Sequence, residues 1–314
     1  MASLAVPGSA RANRRTRGGK PNFVIIFADD QGYQDVGCFG SPTIKTPNLD
    51  GMAAEGMKFT DFYSACSVCS PSRAALMTGC YPPRVGVTKV LFRRDNIGLN
   101  PREVTVADVL KGQGYATACV GKWHLGHLPE FLPTSNGFDS YFGIPYSNDM
   151  DGVKGKDRNL DRTWREKDYS PWDVPLIRDK EVIEQPAVQT TLTERYTDEC
   201  VKFIRKNKDK PFFLYMPHTM PHVPLFVSDD FYVKDVFKAY KATIEQIDDS
   251  VGQILAALKK AGVDKNTLVI FTSDNGPWLS KKHHAGSALP LRDGKFTTYE
   301  GGMREPCIMR WPDR

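Results

Sequence analysis

Phe23-Val24-Ile25-Ile26-Phe27-Ala28, followed at once by Asp29-Asp30, decides the fold. A strand with one wet face alternates apolar and polar residues. An unbroken apolar, β-branched run instead predicts a strand buried on both faces, as in a parallel sheet covered by helices. Leu268-Val269-Ile270-Phe271 repeats the design and leads into Asp274-Asn275-Gly276. Phe212 to Tyr215 and Tyr115 to Val120 read as two further strands, and Cys307-Ile308-Met309 is strand-like. Between them lie helix-period segments at 49–55, 72–77, 104–112, 193–206 and 237–261. The last carries Ile244, Ile247, Val251, Leu255 and Leu258 on one stripe. This alternation predicts an α/β fold with a large, mostly parallel central sheet and helices on both faces. Residues 149 to about 189 break the rhythm. They form a polar, proline-bearing insertion with Trp164, Tyr169 and Trp172 embedded, read either as packing anchors or as a sugar-stacking surface.

The chain has 314 residues, 40% of them apolar and 25% charged, as expected of a globular protein with a sizeable core. No stretch approaches the roughly 18 apolar residues needed to span a bilayer. Much of the net charge of +5 is local: Arg11, Arg14, Arg15, Arg17 and Lys20 crowd together before the first strand. Residues 1–20 therefore read as a disordered basic tail ahead of one domain at 21–314. No aromatic residues interleave with these charges, which argues against nucleic acid as a partner. Ser9-Ala10-Arg11-Ala12 looks like a small-residue cleavage site, although Leu4-Ala5-Val6 is too short for a signal core. Seven scattered cysteines are too few for a disulfide scaffold, and Cys119 and Cys200 read as buried thiols.

Ligands of parallel α/β sheets gather at the carboxyl ends of strands. If the strands ending at Asp29-Asp30 and Asp274-Asn275 are neighbours, three carboxylates and an amide converge, and a cation must neutralise them. All-oxygen ligands favour calcium or magnesium over zinc. Taken singly, each acidic pair could simply cap a helix. Cys69-Ser70-Pro71-Ser72-Arg73 precedes an apolar helical segment. Ser70 suits an N-cap and Pro71 the first helical turn, which leaves Cys69 at the positive helix end with Arg73 one turn on. Lys122 and His124 alternate by two and would point the same way from an extended backbone, suiting an anion and proton transfer. One of His218 and His222, in a proline-rich segment, suits acid–base work. Gly294-Lys295 opens a glycine-rich segment that is not a phosphate-binding loop, because Phe296 follows the lysine. Cys66-Ser67-Val68-Cys69 also matches a redox Cys-x-x-Cys pair, a reading that leaves the acid pairs and lysines without a purpose.

These segments together resemble the sulfatase family, in its arylsulfatase A-like branch. The residues carrying the resemblance are Ala28-Asp29-Asp30, Cys69 to Arg73, Gly114 to Gly126, Gly143 to Asn148, Ser273 to Gly276 and Gly294 to Pro306. It implies an alkaline-phosphatase-like α/β fold and hydrolysis of aryl or carbohydrate sulfate esters through a formylglycine made from Cys69. A calcium site (magnesium being the other possibility) would form from Asp29, Asp30, Asp274, Asn275 and the modified Cys69. Arg73, Lys122, His124, Ser147, His222 and Lys295 would surround the sulfate, His222 being chosen over His218 by the family's His-x-Pro pattern. Asp274 would accept a proton, and His222 or Lys295 would protonate the departing alcohol. The resemblance further implies a formylglycine-generating enzyme as a partner and export to a periplasmic, extracellular or lysosomal compartment. The small C-terminal subdomain of such enzymes has no counterpart here, so the chain reads as a truncated member. The alternatives are a phosphate mono- or diester hydrolase of the same superfamily and a non-catalytic anion-binding relative.

Overall fold

The computed structural model describes residues 19–314. Most of the basic segment, and the cleavage-like Ser9 to Ala12, lie outside the described residues. Lys20 already belongs to the body of the protein: its carbonyl accepts from Asn266 Nδ2 at 3.1 Å.

Among the described residues, nine strands form one sheet. They are β1 (Asn22–Ala28), β2 (Met57–Tyr63), β3 (Ala116–Val120), β4 (Ser140–Gly143), β5 (Leu176–Arg178), β6 (Glu181–Glu184), β7 (Phe212–Pro217), β8 (Thr267–Ser273) and β9 (Arg304–Arg310). Their order is β2-β9-β8-β1-β7-β3-β4-β5-β6. The five central strands, β8 to β4, pair in parallel, whereas β9 and β2 on one side and β5 and β6 on the other are antiparallel. The continuous apolar runs are the central strands, as two-sided burial requires.

The longer helices are α1 (Pro47–Ala54), α2 (Cys69–Thr78), α3 (Val106–Gly112), α4 (Leu160–Glu166), α5 (Leu192–Asn207) and α6 (Ala239–Lys260). Val24, Ile26 and Ala28 share one core with Leu49 of α1, Tyr196 and Cys200 of α5, and the Ile244-Ile247-Val251 stripe of α6. Phe27 faces the other core, with Ala74 and Met77 of α2, Ala107 of α3, and Phe213 and Tyr215 of β7. Each fully buried aliphatic side chain contributes about 1.5–3 kcal/mol, so these two layers hold the sheet. Cys119 and Cys200 are buried, and all seven cysteines are free thiols. No helix among the described residues is long and apolar enough to cross a membrane.

One expectation needs correction, and two open readings are decided. Helix α2 begins at Cys69 itself, with extended Val68 as its N-cap. The Ser70 hydroxyl instead accepts from the Leu91 amide at 3.0 Å, so Ser70 ties down a loop and caps nothing. The insertion is not irregular throughout: it contributes α4, β5 and β6. Its tryptophans are packing anchors with no face left for a sugar. Trp164 and Trp172 are each 2% exposed, and the Trp164 indole donates to the Val233 carbonyl at 2.8 Å.

Candidate active site

Strands β1 and β8 are neighbours, in the register Ala28↔Ser273. Asp29-Asp30 and Asp274-Asn275 therefore leave the sheet side by side. The junction is stitched by hydrogen bonds. The Asp274 amide donates to the Ala28 carbonyl at 3.1 Å, the Asp30 amide to Asp274 Oδ1 at 3.1 Å, and the Gln31 amide to Ser273 Oγ at 3.0 Å. Asp30 adopts a left-handed conformation at φ 64°, which turns its carboxylate back toward Asn275; Asn275 Nδ2 donates to Asp30 Oδ1 at 2.7 Å. Gly276 completes the turn. A Cβ there would lie 1.8 Å from the Gly301 carbonyl oxygen, so no larger residue fits.

Helix α2 aims its first residue into this junction. Cys69 Sγ lies 3.5 Å from Asp29 Oδ1 and 4.0 Å from Asp30 Oδ1. Arg73, one turn on, is fully buried. Its Nε and Nη2 donate to Asp274 Oδ2 at 3.0 and 2.8 Å, and its Nη1 donates to the Lys122 carbonyl at 2.8 Å. Lys122 pairs with Asp29. Lys295 Nζ donates to both Asp30 oxygens, at 2.6 and 2.9 Å, and stands 3.4 Å from Cys69 Sγ. Three buried carboxylates thus face three buried cations, and the site is balanced in the protein alone.

Burial dominates the electrostatics. It pushes the Cys69 thiol well up, against the pull of Lys122 and Lys295, so this helix N-terminus holds a protonated thiol rather than the activated nucleophile that its position suggests. Burial would also raise Asp29, but Lys122, His222 and Arg73 outweigh it and hold that carboxyl below its ordinary range. Asp274 is raised by burial and by the Asp29 charge, in spite of Arg73. The Arg73 and Lys295 charges survive burial because Asp274 and Asp30, respectively, lead the groups stabilising them.

Two of the three histidines are held in defined tautomers. His222 Nδ1 meets its neighbour's carbonyl, Val223 O, at 2.6 Å and so carries the proton; Nε2 faces Asp30 Oδ2 at 3.6 Å. His218 is buried with neither ring nitrogen partnered, and burial lowers it to about 4. His124 Nε2 meets the Leu91 carbonyl at 2.9 Å and must donate, which leaves Nδ1 a buried, unpartnered acceptor. Burial, then Lys122 and Arg73, push His124 well below its usual range, so it is neutral. The extended-backbone argument for Lys122 and His124 fails, because His124 sits at φ 59° and the chain bends there. Ser147 is buried after β4, and among the described residues its hydroxyl makes no hydrogen bond to Asp29, Asp30, Cys69 or Asp274.

One residue that the sequence did not point to lines the site, and another lies next to it along the chain. Trp278 packs against the His222 ring with centroids 5.6 Å apart and covers the Lys295 ammonium at 4.8 Å. Gln31, next to Asp30, is buried with both amide atoms unpartnered. Neither follows a motif; only the fold brings Trp278 in.

The donor set suits a hard divalent cation. One atom each from Asp29, Asp30, Cys69 and His222 lies within 4.8 Å of the others. Asn275 Oδ1 is a buried acceptor without a partner, at the same strand tip as Asp274. Carboxylates and an orphaned amide oxygen are calcium or magnesium ligands.

A sulfatase family model matches residues 21–314. The chain is 40% identical to arylsulfatase G of Rattus norvegicus, over 95% of this chain and 61% of that protein. It is 42% identical to human arylsulfatase A, over 93% of this chain and 59% of that protein. The chain thus spans about three fifths of the length of the curated relatives it matches. Among solved structures it is similar to Ps i-CgsB in complex with k-i-k-neocarrahexaose, with a TM-score of 0.80 and 36% identity, covering 94% of this chain and 66% of that one.

Proposed function

The chain belongs to the sulfatase family, and on that premise we propose that it hydrolyses sulfate esters of aryl or carbohydrate alcohols to the alcohol and inorganic sulfate. The observation that carries the reading is the meeting of Cys69, at the first position of α2, with Asp29, Asp30 and Lys295.

Two groups complete the site. A divalent cation, calcium by preference and magnesium otherwise, would be held by Asp29, Asp30, Asp274, Asn275 and the modified side chain at position 69, and would supply charge neutralisation for an anionic ester. Formylglycine, made from Cys69 by a formylglycine-generating enzyme, would supply an aldehyde hydrate with one hydroxyl to attack sulfur and a second to expel sulfate. The unmodified thiol, held protonated by burial, offers neither hydroxyl.

The chain's own residues do the rest. Arg73 is locked by Asp274 and fixes the floor of the site. Lys122 and Lys295 each engage a carboxylate that a cation would claim, which frees their ammonium groups for the ester oxygens. His222 has its Nδ1 proton anchored on a carbonyl, so its Nε2 faces the site and, on taking up a second proton, would deliver it to the departing alcohol, with Lys295 as the other donor. His124 offers Nδ1 as a fixed acceptor to a hydroxyl in the site. Asp274 has its oxygens engaged by Arg73 and the Asp30 amide, which favours a ligand and anchor over the proton acceptor expected from the sequence. Ser147 would line the sulfate site from the loop after β4. The cleavage-like Ser9 to Ala12 supports an exported protein.

The test is a comparison of initial rates on an aryl sulfate and the matching aryl phosphate, using protein co-produced with a formylglycine-generating enzyme. Hydrolysis of the sulfate, lost on chelation and restored by calcium, is the expected result. Preference for the phosphate would support a phosphoester hydrolase. No turnover of either ester, with the aldehyde present, would support an anion-binding protein.

A further inference from the structure

A second cluster of ligand-type side chains lies apart from the strand-tip site. Asp161 sits in the first turn of α4, within the insertion, and His283 and His284 end the short 3-10 segment that follows β8. His283 Nε2 and His284 Nε2 approach the same oxygen, Asp161 Oδ1, at 2.7 and 2.8 Å. The three ligand atoms all lie within 4.8 Å of one another. Consecutive side chains ordinarily diverge. Here, just after a backbone kink at Lys282 (φ 56°, ψ −120°), both rings turn to one side, with centroids 4.4 Å apart. The site is built rather than loose: His284 is buried, and His283 is a quarter exposed and packs on Phe237 at 4.6 Å.

We propose that Asp161, His283 and His284 form a second metal site, for a borderline divalent ion such as zinc, with at least one coordination position open. The chemistry separates it from the strand-tip site. Two imidazole nitrogens and one carboxylate oxygen are a zinc, nickel or copper set, whereas the strand tips offer a cradle dominated by hard oxygens. Ligand bonds of about 2.0–2.2 Å in tetrahedral array need the three atoms to spread by about half an ångström from their present spacing. Asp161, a third exposed on the first turn of a short helix, has room to move. A bound ion would pin the insertion to the segment that carries Trp278, and Trp278 packs on His222 and Lys295. The second site would thereby brace one wall of the first.

Cobalt(II) is the probe, in chelator-stripped protein resupplied with excess calcium to fill the strand-tip site. The expected result is uptake of one equivalent of Co2+ with visible d–d absorption, no thiolate charge-transfer band in the near ultraviolet, and displacement by zinc. His283→Gln and Asp161→Asn, both at partly exposed positions, should each weaken Co2+ binding at least tenfold while circular dichroism stays unchanged. Co2+ binding as tight in both variants as in the parent, a thiolate band, or no uptake at micromolar Co2+ would each overturn the proposal.

Discussion

Arg73 shows how one buried residue can be both structure and chemistry. Its fork is spent on Asp274 and the Lys122 carbonyl, and no water reaches it. Removing it leaves a buried carboxylate unpaired, so Arg73→Ala should cost about 3–5 kcal/mol, read as a drop in the denaturation midpoint. Arg73→Lys should recover only part of this, because an ammonium cannot reproduce the two-pronged contact. Lys295 is the contrasting case. Its partner is a carboxylate that a cation would take over, so Lys295→Met should lower kcat on aryl sulfates by about 10²–10³. Cys69→Ser supplies one hydroxyl and no second, and should give at most a single turnover that leaves the serine sulfated; sustained turnover by this variant would argue against the proposed chemistry. Asp29, Asp30, Asp274 and Asn275 were legible at strand tips, and Cys69 and Arg73 at a helix start, because those features have fixed directions; Lys122 followed a strand exit, whereas Lys295 and the choice of His222 came from the family resemblance. Trp278 was not legible, since only packing brings it in, and nothing in the sequence marked Gln31 beside Asp30. Ser147 rested on resemblance alone, and the structure gives it no bond to the cluster.

At the scale of elements, close backbone approach around the strand tips sets the tolerance of the site. Gly121 ends β3 at φ 135°, and a Cβ there would meet the Pro217 carbonyl oxygen at 1.8 Å. Gly121→Ala is strained in conformation and in space, so it should destabilise the fold by several kcal/mol, about 3 or more. Denaturant unfolding reads this directly. A midpoint within error of the parent would show that the β3–β7 tips can part, and the site could not then be as rigid as described. Four of the five central strands and the five helical segments were legible because two-sided burial writes continuous apolar runs and 3.6-residue stripes; β4, four residues long, was not. Of the antiparallel strands only β9 was legible, through Cys307-Ile308-Met309. β2 is mostly exposed and carries no clean alternation, and β5 and β6 are three and four residues long. The N-cap of α2 was misassigned because the Ser70 hydroxyl had a distant rival, the Leu91 amide, that sequence cannot show.

Over the whole molecule, the sheet, the two cores and the loops above the strand tips are joined through buried polar anchors, of which Asp35 is the most telling. It accepts from the Gly32 amide at 2.7 Å, the Tyr240 hydroxyl of α6 at 2.7 Å and the Ser287 amide at 2.9 Å. Burial raises its carboxyl from 3.8 to about 7, against those three bonds. The folded protein therefore holds a proton that the unfolded chain has released between about pH 4 and 7, and Asp35 makes stability fall as pH rises through that window, by at most about 1.4 kcal/mol per pH unit. Subtracting the pH profile of Asp35→Asn stability from that of the parent should isolate this slope; a flat or rising difference would contradict it. The account as a whole turns on the side chain at position 69. Mass spectrometry of the peptide containing Cys69, from protein that is turning over an aryl sulfate, tests it most directly. The account predicts an aldehyde at position 69, in a fraction that tracks the active enzyme. Full activity from protein carrying only the thiol would contradict it.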